Sequence, residues 1–159
     1  EAYTISEAMA ALIIEMTGDG NGMVDVLGHY YQQNIYRNNT KQFFQPQNLC
    51  DEKARMQNSA NPVECITDPF CGSGRMLMAM SKVNRFVKFY GIEKYGICAK
   101  IAVINLCLNK MYCEITWMNS LTNDFYAAWE IFPTVKGVPC IRQISEKESY
   151  IHLKFPEKK

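Results

Sequence analysis

The sequence lacks the usual signals of a metal site, a membrane segment or a polyanion-binding surface. Its seven cysteines form no C-x-x-C pair, the spacing typical of a structural zinc site. No apolar run reaches the length that spans a bilayer. Seventeen basic residues against 16 acidic ones leave a net charge of +1. We therefore predict no metal and no membrane association, and any affinity for DNA would need a local patch or a partner subunit.

The remaining composition is typical of a folded protein with one core. The chain has 159 residues, of which 48% are hydrophobic and 21% charged. An odd number of cysteines, mostly inside apolar runs, indicates reduced, buried thiols and predicts a cytoplasmic protein. We expect a helical segment over residues 1–40 and a ligand-binding domain over residues 41–159, together forming one compact unit.

The glycine-containing stretch from Asp68 to Leu77 is the feature around which the chain is organised. A short apolar run precedes it and a helix-like run follows it, which predicts a strand, a tight turn and a helix. Gly72 and Gly74 remove side chains that would keep a ligand away from the backbone. We expect a small molecule to bind at this turn, and a purely structural glycine turn is the alternative.

Three other interpretations of the turn are weaker. A dinucleotide loop needs a third glycine where Leu77 stands. An ATP loop needs a lysine directly after Gly74, and the next lysine is Lys82. Cys71 could be a nucleophile, but neither histidine is near it in sequence, so we favour a small residue that the turn accepts.

Two more predicted strands end at the same edge as the glycine turn. Residues 85–93 end on Glu93, and residues 113–118 lead into Asn119. A carboxylate at the tip of the second parallel strand can accept hydrogen bonds from both hydroxyls of a ribose. Glu93 is therefore a predicted nucleoside contact, with a surface charge at a strand end as the alternative.

Three segments besides the glycine turn resemble those of a known family. The turn itself is similar to the first motif of class I methyltransferases that use S-adenosylmethionine. Residues 41–46, Lys-Gln-Phe-Phe-Gln-Pro, resemble the Gly-Gln-Phe-Phe-Thr-Pro segment of gamma-type N6-adenine DNA methyltransferases, especially the methylase subunits of type I restriction-modification systems. Residues 25–31 and 102–108 resemble the same family's helical lead-in and its Ala-x-x-Asn-Leu-x-Leu run.

This resemblance implies roles for individual residues. The segment with Phe43 and Phe44 would pack over the cofactor. Gln45 stands where threonine is usual, so an amide would replace a hydroxyl contact to the methionine carboxylate. Asn119 stands where an acid is usual, and its carbonyl oxygen can still accept a bond from the cofactor's adenine amino group. The implied cofactor is S-adenosylmethionine or S-adenosylhomocysteine. The predicted cofactor-binding residues are Phe43, Phe44, Gln45, Pro46, Asp68, Pro69, Phe70, Cys71, Gly72, Ser73, Gly74, Glu93, Lys94, Asn119, Ser120 and Leu121.

The family's catalytic loop is missing from this sequence. Adenine methyltransferases hold the target amine with an Asn/Asp-Pro-Pro-Tyr/Phe loop after the fourth strand. The only Asn-Pro pair here, Asn61-Pro62, precedes the glycine turn. We therefore predict no catalytic residue, and we expect this chain alone not to transfer a methyl group. Whether it is an enzyme stays open, with a cofactor-sensing module beside a full methyltransferase, or a small methyltransferase for another substrate, as alternatives.

The expected fold is α/β, resembling a truncated class I S-adenosylmethionine-dependent methyltransferase. It would have a Rossmann-like, mainly parallel sheet of about five strands, helices on both faces and an N-terminal helical segment. Helical spacing predicts helices over 24–35 and 97–108. Thr122 and Asn123 predict a helix cap, and the aromatic side of a helix reaching Trp129 would pack in the core or stack on DNA. Residues 137–155 predict two antiparallel strands around a polar turn.

Overall fold

One mixed sheet and the helices around it form the part of the chain that the structure, a computed structural model, describes: residues 11, 15, 23–35, 44–58 and 63–154. The helices with described bounds are α1 (Val26–Asn34), α2 (Gln47–Asn58), α3 (Arg75–Val83), α4 (Gly96–Leu108) and α5 (Tyr150–Lys154). The strands are β1 (Cys65–Asp68), β2 (Lys88–Glu93), β3 (Cys113–Asn119), β4 (Asp124–Pro133) and β5 (Pro139–Ile144).

The strands lie in the sheet in the order in which they occur in the chain, from β1 to β5. β1, β2 and β3 are parallel to one another, with Asp68 opposite Gly91 and Glu93 opposite Trp117. β4 and β5 follow as antiparallel neighbours. Because the carboxyl ends of parallel strands meet at one edge of a sheet, the residues that follow β1, β2 and β3 come together there.

Alternating side chains of β2 divide the core between the two faces of the sheet. Phe89 packs in the larger cluster with Leu77 of α3 and Leu106 of α4. Tyr90 packs in a smaller cluster with Ile151 of α5. Parallel sheets need cover on both faces because their strands are apolar on both sides. Here α5, a helix of five residues, covers part of the second face.

Asn105 of α4 and Asn109, which caps the end of that helix, hold the start of α1 against the rest of the fold. Asn105 accepts a hydrogen bond from the backbone N–H of Leu27 at 3.2 Å. Asn109 accepts from the N–H of Val24 and donates to the carbonyl of Val24, each at 3.2 Å. Residues 105 and 109 lie one helical turn apart, so they present their amides on the same side of α4. The helical lead-in is thereby fixed beside the glycine turn.

Several elements confirm the predictions from sequence. The strand, turn and helix around residue 72, the strands that end at Glu93 and Asn119, and the helices near 24–35 and 97–108 all form. The α/β class is confirmed, but the sheet is mixed, so the expectation of a mainly parallel sheet was wrong. Most of the predicted N-terminal helical segment, residues 1–40, lies outside the described residues, although Ala11 and Glu15 are helical and α1 lies within it. Phe43 also lies outside the described residues.

The predicted helix from Thr122 to Trp129 was wrong, because the chain reverses into β4. Asn123 adopts a left-handed backbone with φ of 63°, and its N–H donates to the carbonyl of Asn119 at 2.7 Å. These contacts close a hairpin in which Asn119 pairs with Asp124. Thr122 and Asn123 therefore form a turn, and the aromatic residues after them, which are types enriched in strands, do not share a helix face.

The end of the described chain also differs from the prediction. Residues 139–144 form a strand, but residues 150–154 form α5 and not a second strand. Ser149 caps this helix by accepting from the N–H of His152 at 3.2 Å. The helix α2 had no counterpart among the predicted elements. No helix within the described ranges is long and apolar enough to cross a membrane.

Candidate functional site

The turn after β1 is shaped by its glycines. Gly72 and Gly74 have φ angles of +56° and +88°, a region that side chains other than glycine rarely adopt. The N–H of Cys71 donates to the carbonyl of Ile92 at 2.9 Å, and the N–H of Gly74 donates to the carbonyl of Cys71 at 2.8 Å. The turn is therefore fixed against β2 and leads directly into α3.

Glu93 binds the same turn from the end of β2. Its Oε2 accepts the N–H of Gly72 at 2.9 Å, and its Oε1 accepts the N–H of Tyr95 at 2.7 Å. The residue is 7% exposed. Burial raises the pKa of the Glu93 carboxyl above its usual value, and the backbone N–H groups at residues 95, 72 and 94 oppose that rise. A carboxylate has about four acceptor positions, so the group keeps acceptor capacity for a ligand beside these N–H groups.

A second carboxylate, that of Asp68, lies at the end of β1. Its Oδ1 accepts the N–H of Phe70 at 3.0 Å. Burial raises the pKa of the Asp68 carboxyl, with the bond from Phe70 and the charge of Lys53 acting in the opposite direction. The charge of Asp68 in turn contributes to the raised pKa of Glu93. Two partly desolvated carboxylates in one place favour a ligand that carries positive charge.

The third strand end brings Asn119 to the same place. Its Oδ1 accepts the N–H of Leu121 at 3.1 Å, which leaves one acceptor position on that oxygen. Leu121 is 82% exposed and Phe70 is 68% exposed. The two apolar side chains belong to the rim of the site.

The segment that contains Phe44 and Gln45 also lines the site. The ring centroids of Phe44 and Tyr31 of α1 are 6.0 Å apart. The carbonyl oxygen of Gln45 accepts a hydrogen bond from Nη1 of Arg75 at 2.6 Å. The side-chain oxygen of Gln45 lies 3.4 Å from Nζ of Lys53, on the side of α2. The main-chain carbonyl of Gln45, and not its side-chain amide, therefore connects this segment to Arg75, the residue that follows the glycine turn.

Asp25 connects α1, the glycine turn, the start of α3 and α4 through hydrogen bonds. Its Oδ1 accepts from the N–H of Gly28 at 2.9 Å and from Nδ2 of Asn105 at 2.5 Å. Its Oδ2 accepts from the hydroxyl of Ser73 and from Nε of Arg75, the latter at 2.9 Å. The residue is 4% exposed. A buried carboxylate is stable only when donors surround it, and here four donors do so.

These elements enclose a cavity of about 450 Å³. Among the predicted residues, those that line it are Phe44, Gln45, Asp68, Phe70, Cys71, Gly72, Ser73, Glu93, Lys94, Asn119, Ser120 and Leu121. Pro46, Pro69 and Gly74 adjoin lining residues without lining the cavity themselves, and Phe43 lies outside the described residues. The structure thus brings the predicted residues to one cavity, and their role in binding stays a prediction.

Sequence reasoning missed five lining residues: Cys50, Arg75, Met76, Tyr95 and Cys98. Arg75 and Met76 directly follow Gly74, and Tyr95 follows Glu93 by two residues, so proximity to the motifs was an available signal. Cys50 belongs to a helix that was not predicted. Cys98 occupies the first turn of α4, where the residues after a nucleoside-binding strand commonly approach the ligand.

The thiols of the cavity do not have the properties of a nucleophile. Burial raises the pKa of Cys71 well above its usual value, and the charges of Asp68 and Glu93 raise it further. Burial also raises the pKa of Cys98 to about 12. Neither His29 nor His152 lines the cavity. Within the described ranges, no group of three or more potential metal ligands occurs.

Comparison with known proteins places the chain in a family. No curated protein and no solved structure matches it. A family model described as N-6 DNA Methylase matches residues 23–139, a span that begins just before Asp25 and includes the glycine turn, Glu93 and Asn119. Because this match covers more than half of the sequence, the chain belongs to the N-6 DNA methylase family.

Proposed function

We propose that the cavity binds S-adenosylmethionine or S-adenosylhomocysteine, and that the chain is the cofactor-binding part of an adenine-specific DNA methyltransferase of restriction-modification type. One observation carries this proposal: three successive parallel strands end at one cavity, and the N–H of Gly72 is hydrogen-bonded to the carboxylate of Glu93. Nucleoside cofactors bind at such an edge, where backbone N–H groups and a strand-end carboxylate are available together. This shared edge of three parallel strands supports the proposed class I fold.

The charge of the site suits this cofactor. S-adenosylmethionine carries a sulfonium and an ammonium group, both positive. Asp68 and Glu93 are partly desolvated carboxylates with raised pKa values, and a cation beside them would stabilise their ionised forms. A dinucleotide or a nucleoside triphosphate would instead bring phosphates against these carboxylates.

The hydrogen-bonding groups suit a nucleoside. The carboxylate of Glu93 keeps acceptor capacity for a ribose hydroxyl beside its backbone contacts. Oδ1 of Asn119 retains one for the adenine amino group. Phe44 and Phe70 supply apolar surface to the cavity. A volume of about 450 Å³ falls within the range for small-molecule sites, roughly 300–1,000 Å³.

Methyl transfer to DNA needs groups that these 159 residues do not contain. The sequence has no Asn/Asp-Pro-Pro-Tyr/Phe loop, and such a loop orients the target amine of an extruded adenine. The net charge of +1 gives little general attraction to DNA. We therefore place the acceptor site and most DNA contacts on another part of the assembly, in the same or a partner polypeptide.

Calorimetry with S-adenosylmethionine tests the proposal. The parent chain should bind, and Glu93→Ala should weaken binding by about tenfold or more, because it removes charge-assisted acceptors. Glu52→Ala is the matched control, since Glu52 is exposed on α2 and does not line the cavity. If the parent does not bind, or if Glu93→Ala binds like the parent, the cofactor assignment is wrong.

Transfer of labelled methyl groups to DNA separates the enzyme from a second candidate, a cofactor-sensing module. The missing catalytic loop favours that candidate for the isolated chain. Binding without transfer, even after addition of a methylase from the same restriction-modification system, would support the sensing module. Binding with transfer to adenine would support the enzyme.

A further inference from the structure

Arg75 is a half-buried cation that lines the cavity, and it had no predicted role. It is the first residue of α3, its side chain is 12% exposed, and it lines the cavity. Its Nε donates to Asp25 and its Nη1 donates to the carbonyl of Gln45. These two bonds fix the plane of the guanidinium group between the glycine turn and the segment that contains Gln45.

The guanidinium group retains unused donors. Arginine has five N–H donors in a rigid fork. Nε and Nη1 have partners, whereas Nη2 has no hydrogen-bond partner within the described part of the chain. A guanidinium that is held in place by two bonds and presents a further nitrogen is preorganised for an anionic oxygen.

Among the charged residues that line the described cavity, Arg75 is the one best placed to bind an anionic oxygen. Asp68 and Glu93 are carboxylates and would repel an anion. Lys94 is exposed and directly follows Glu93, so it lies at the end of the cavity assigned to the ribose. The side-chain oxygen of Gln45 is directed to Lys53. A carboxylate of the ligand would therefore pair with the positive charge of Arg75.

We propose that Arg75 binds the carboxylate of the cofactor's methionine part and thereby makes the cavity selective for a nucleoside that carries an intact amino acid. The inference rests on the proposed function, because it takes S-adenosylmethionine as the ligand. Asp25 is the positioning residue in this arrangement: it orients Arg75 and Ser73 without itself lining the cavity.

A comparison of two ligands that differ in a single group tests the inference. Decarboxylated S-adenosylmethionine retains the adenosine, the sulfonium and the amine, and it lacks only the carboxylate. Calorimetry should show that the parent binds S-adenosylmethionine about tenfold or more tightly than the decarboxylated form. In Arg75→Gln, that ratio should fall to within about twofold, because the group that distinguishes the ligands has been removed.

The ratio of affinities distinguishes recognition from a structural role. If Arg75 only supported the turn, Arg75→Gln would weaken both ligands equally and leave the ratio unchanged, which would overturn the inference. Equal binding of both ligands by the parent would overturn it without any variant, so a poorly folded Arg75→Gln does not block the test. Arg75→Lys, which keeps the charge, should retain part of the ratio. A parent that binds neither ligand would instead remove the proposed function itself.

Discussion

Asn105 donates a hydrogen bond from Nδ2 to Oδ1 of Asp25 at 2.5 Å, across 80 positions of sequence. Both residues are almost completely buried, at 1% and 4% exposure. The same amide group donates to the carbonyl of Ser73 at 3.2 Å, and its oxygen accepts the N–H of Leu27. One side chain of α4 thus joins the helical lead-in to the glycine turn.

Replacement of Asn105 by leucine should destabilise the fold. The substitution preserves side-chain volume approximately, but it leaves the N–H of Leu27 without its acceptor and removes one of the two donors to Oδ1 of Asp25. A buried polar group that loses its partner costs about 1–3 kcal/mol, so the free energy of unfolding in urea should fall by at least that amount. Lys100→Ala, an exposed change on the same helix, is the control and should stay within about 0.5 kcal/mol. An unchanged midpoint for Asn105→Leu would contradict the linking role.

Replacement of Asp68 by asparagine should raise stability and lower affinity at neutral pH. Burial raises the pKa of Asp68 in the folded state above its usual value of 3.8, so the ionised form opposes folding. Asparagine keeps an oxygen for the N–H of Phe70 and carries no charge. The stability gain should be present at pH 7 and should disappear as the pH falls below the unfolded pKa, where the parent carboxyl is also neutral.

Thermal unfolding at pH 7 and near pH 3.5 would check the sign of this effect, and calorimetry would check the affinity. We expect S-adenosylmethionine to bind Asp68→Asn about tenfold less tightly, because a charge-assisted contact is lost. Glu52→Gln, which removes an exposed carboxyl outside the cavity, should change neither quantity. A melting temperature that is lower at pH 7 would show that the charge of Asp68 supports the fold.

Glu114 should be essential for the docking of α5. Its buried carboxylate accepts from the hydroxyl of Ser149 at 2.6 Å and from the N–H groups of Tyr150 and Ile151 at 3.1 and 3.3 Å. Glu114→Ala leaves these donors without an acceptor and should cost about 1–3 kcal/mol. Hydrogen exchange at residues 150 and 151 should accelerate. Lys147→Ala, an exposed change in the turn before α5, is the control, and equal effects of the two substitutions would argue against the specific role of residue 114.

The buried thiols should resist alkylation in the folded protein. With a pKa of about 12, Cys98 carries roughly one thiolate per ten thousand molecules at pH 8. Burial also raises the pKa values of Cys71 and Cys113. Iodoacetamide followed by mass spectrometry should label the half-buried Cys140 first and should label these three only after denaturation. Rapid labelling of Cys71 in the native state would support the interpretation of Cys71 as a nucleophile.

The sequence was informative where a local pattern and the fold required the same structure. The glycines after β1 and the acid that ends β2 are local signals of backbone conformation and ligand chemistry, and they identified the cavity. Thr122 and Asn123 were ambiguous, because the residue types that cap helices also form turns. These residues form a turn because the chain after them pairs with β3 as β4, and local sequence does not determine such pairing.

The contacts of Asp25 and Arg75 could not be derived from local patterns. Asp25 lies 48 positions from Ser73 and 80 from Asn105, and no periodicity connects residues at such distances. Arg75 resembles any basic residue at the start of a helix until the position of Gln45 is known. Sequence patterns therefore predicted the residues that line the cavity better than the contacts that hold them in place.

The hydrogen bond from Arg75 to residue 45 does not depend on the side chain at position 45. Its acceptor is a main-chain carbonyl oxygen, which every amino acid possesses, so the connection survives whichever side chain occurs at that position. Glutamine at position 45 therefore does not weaken the attachment of this segment to Arg75. Substitutions at position 45 should leave that attachment intact, because they exchange only the side chain.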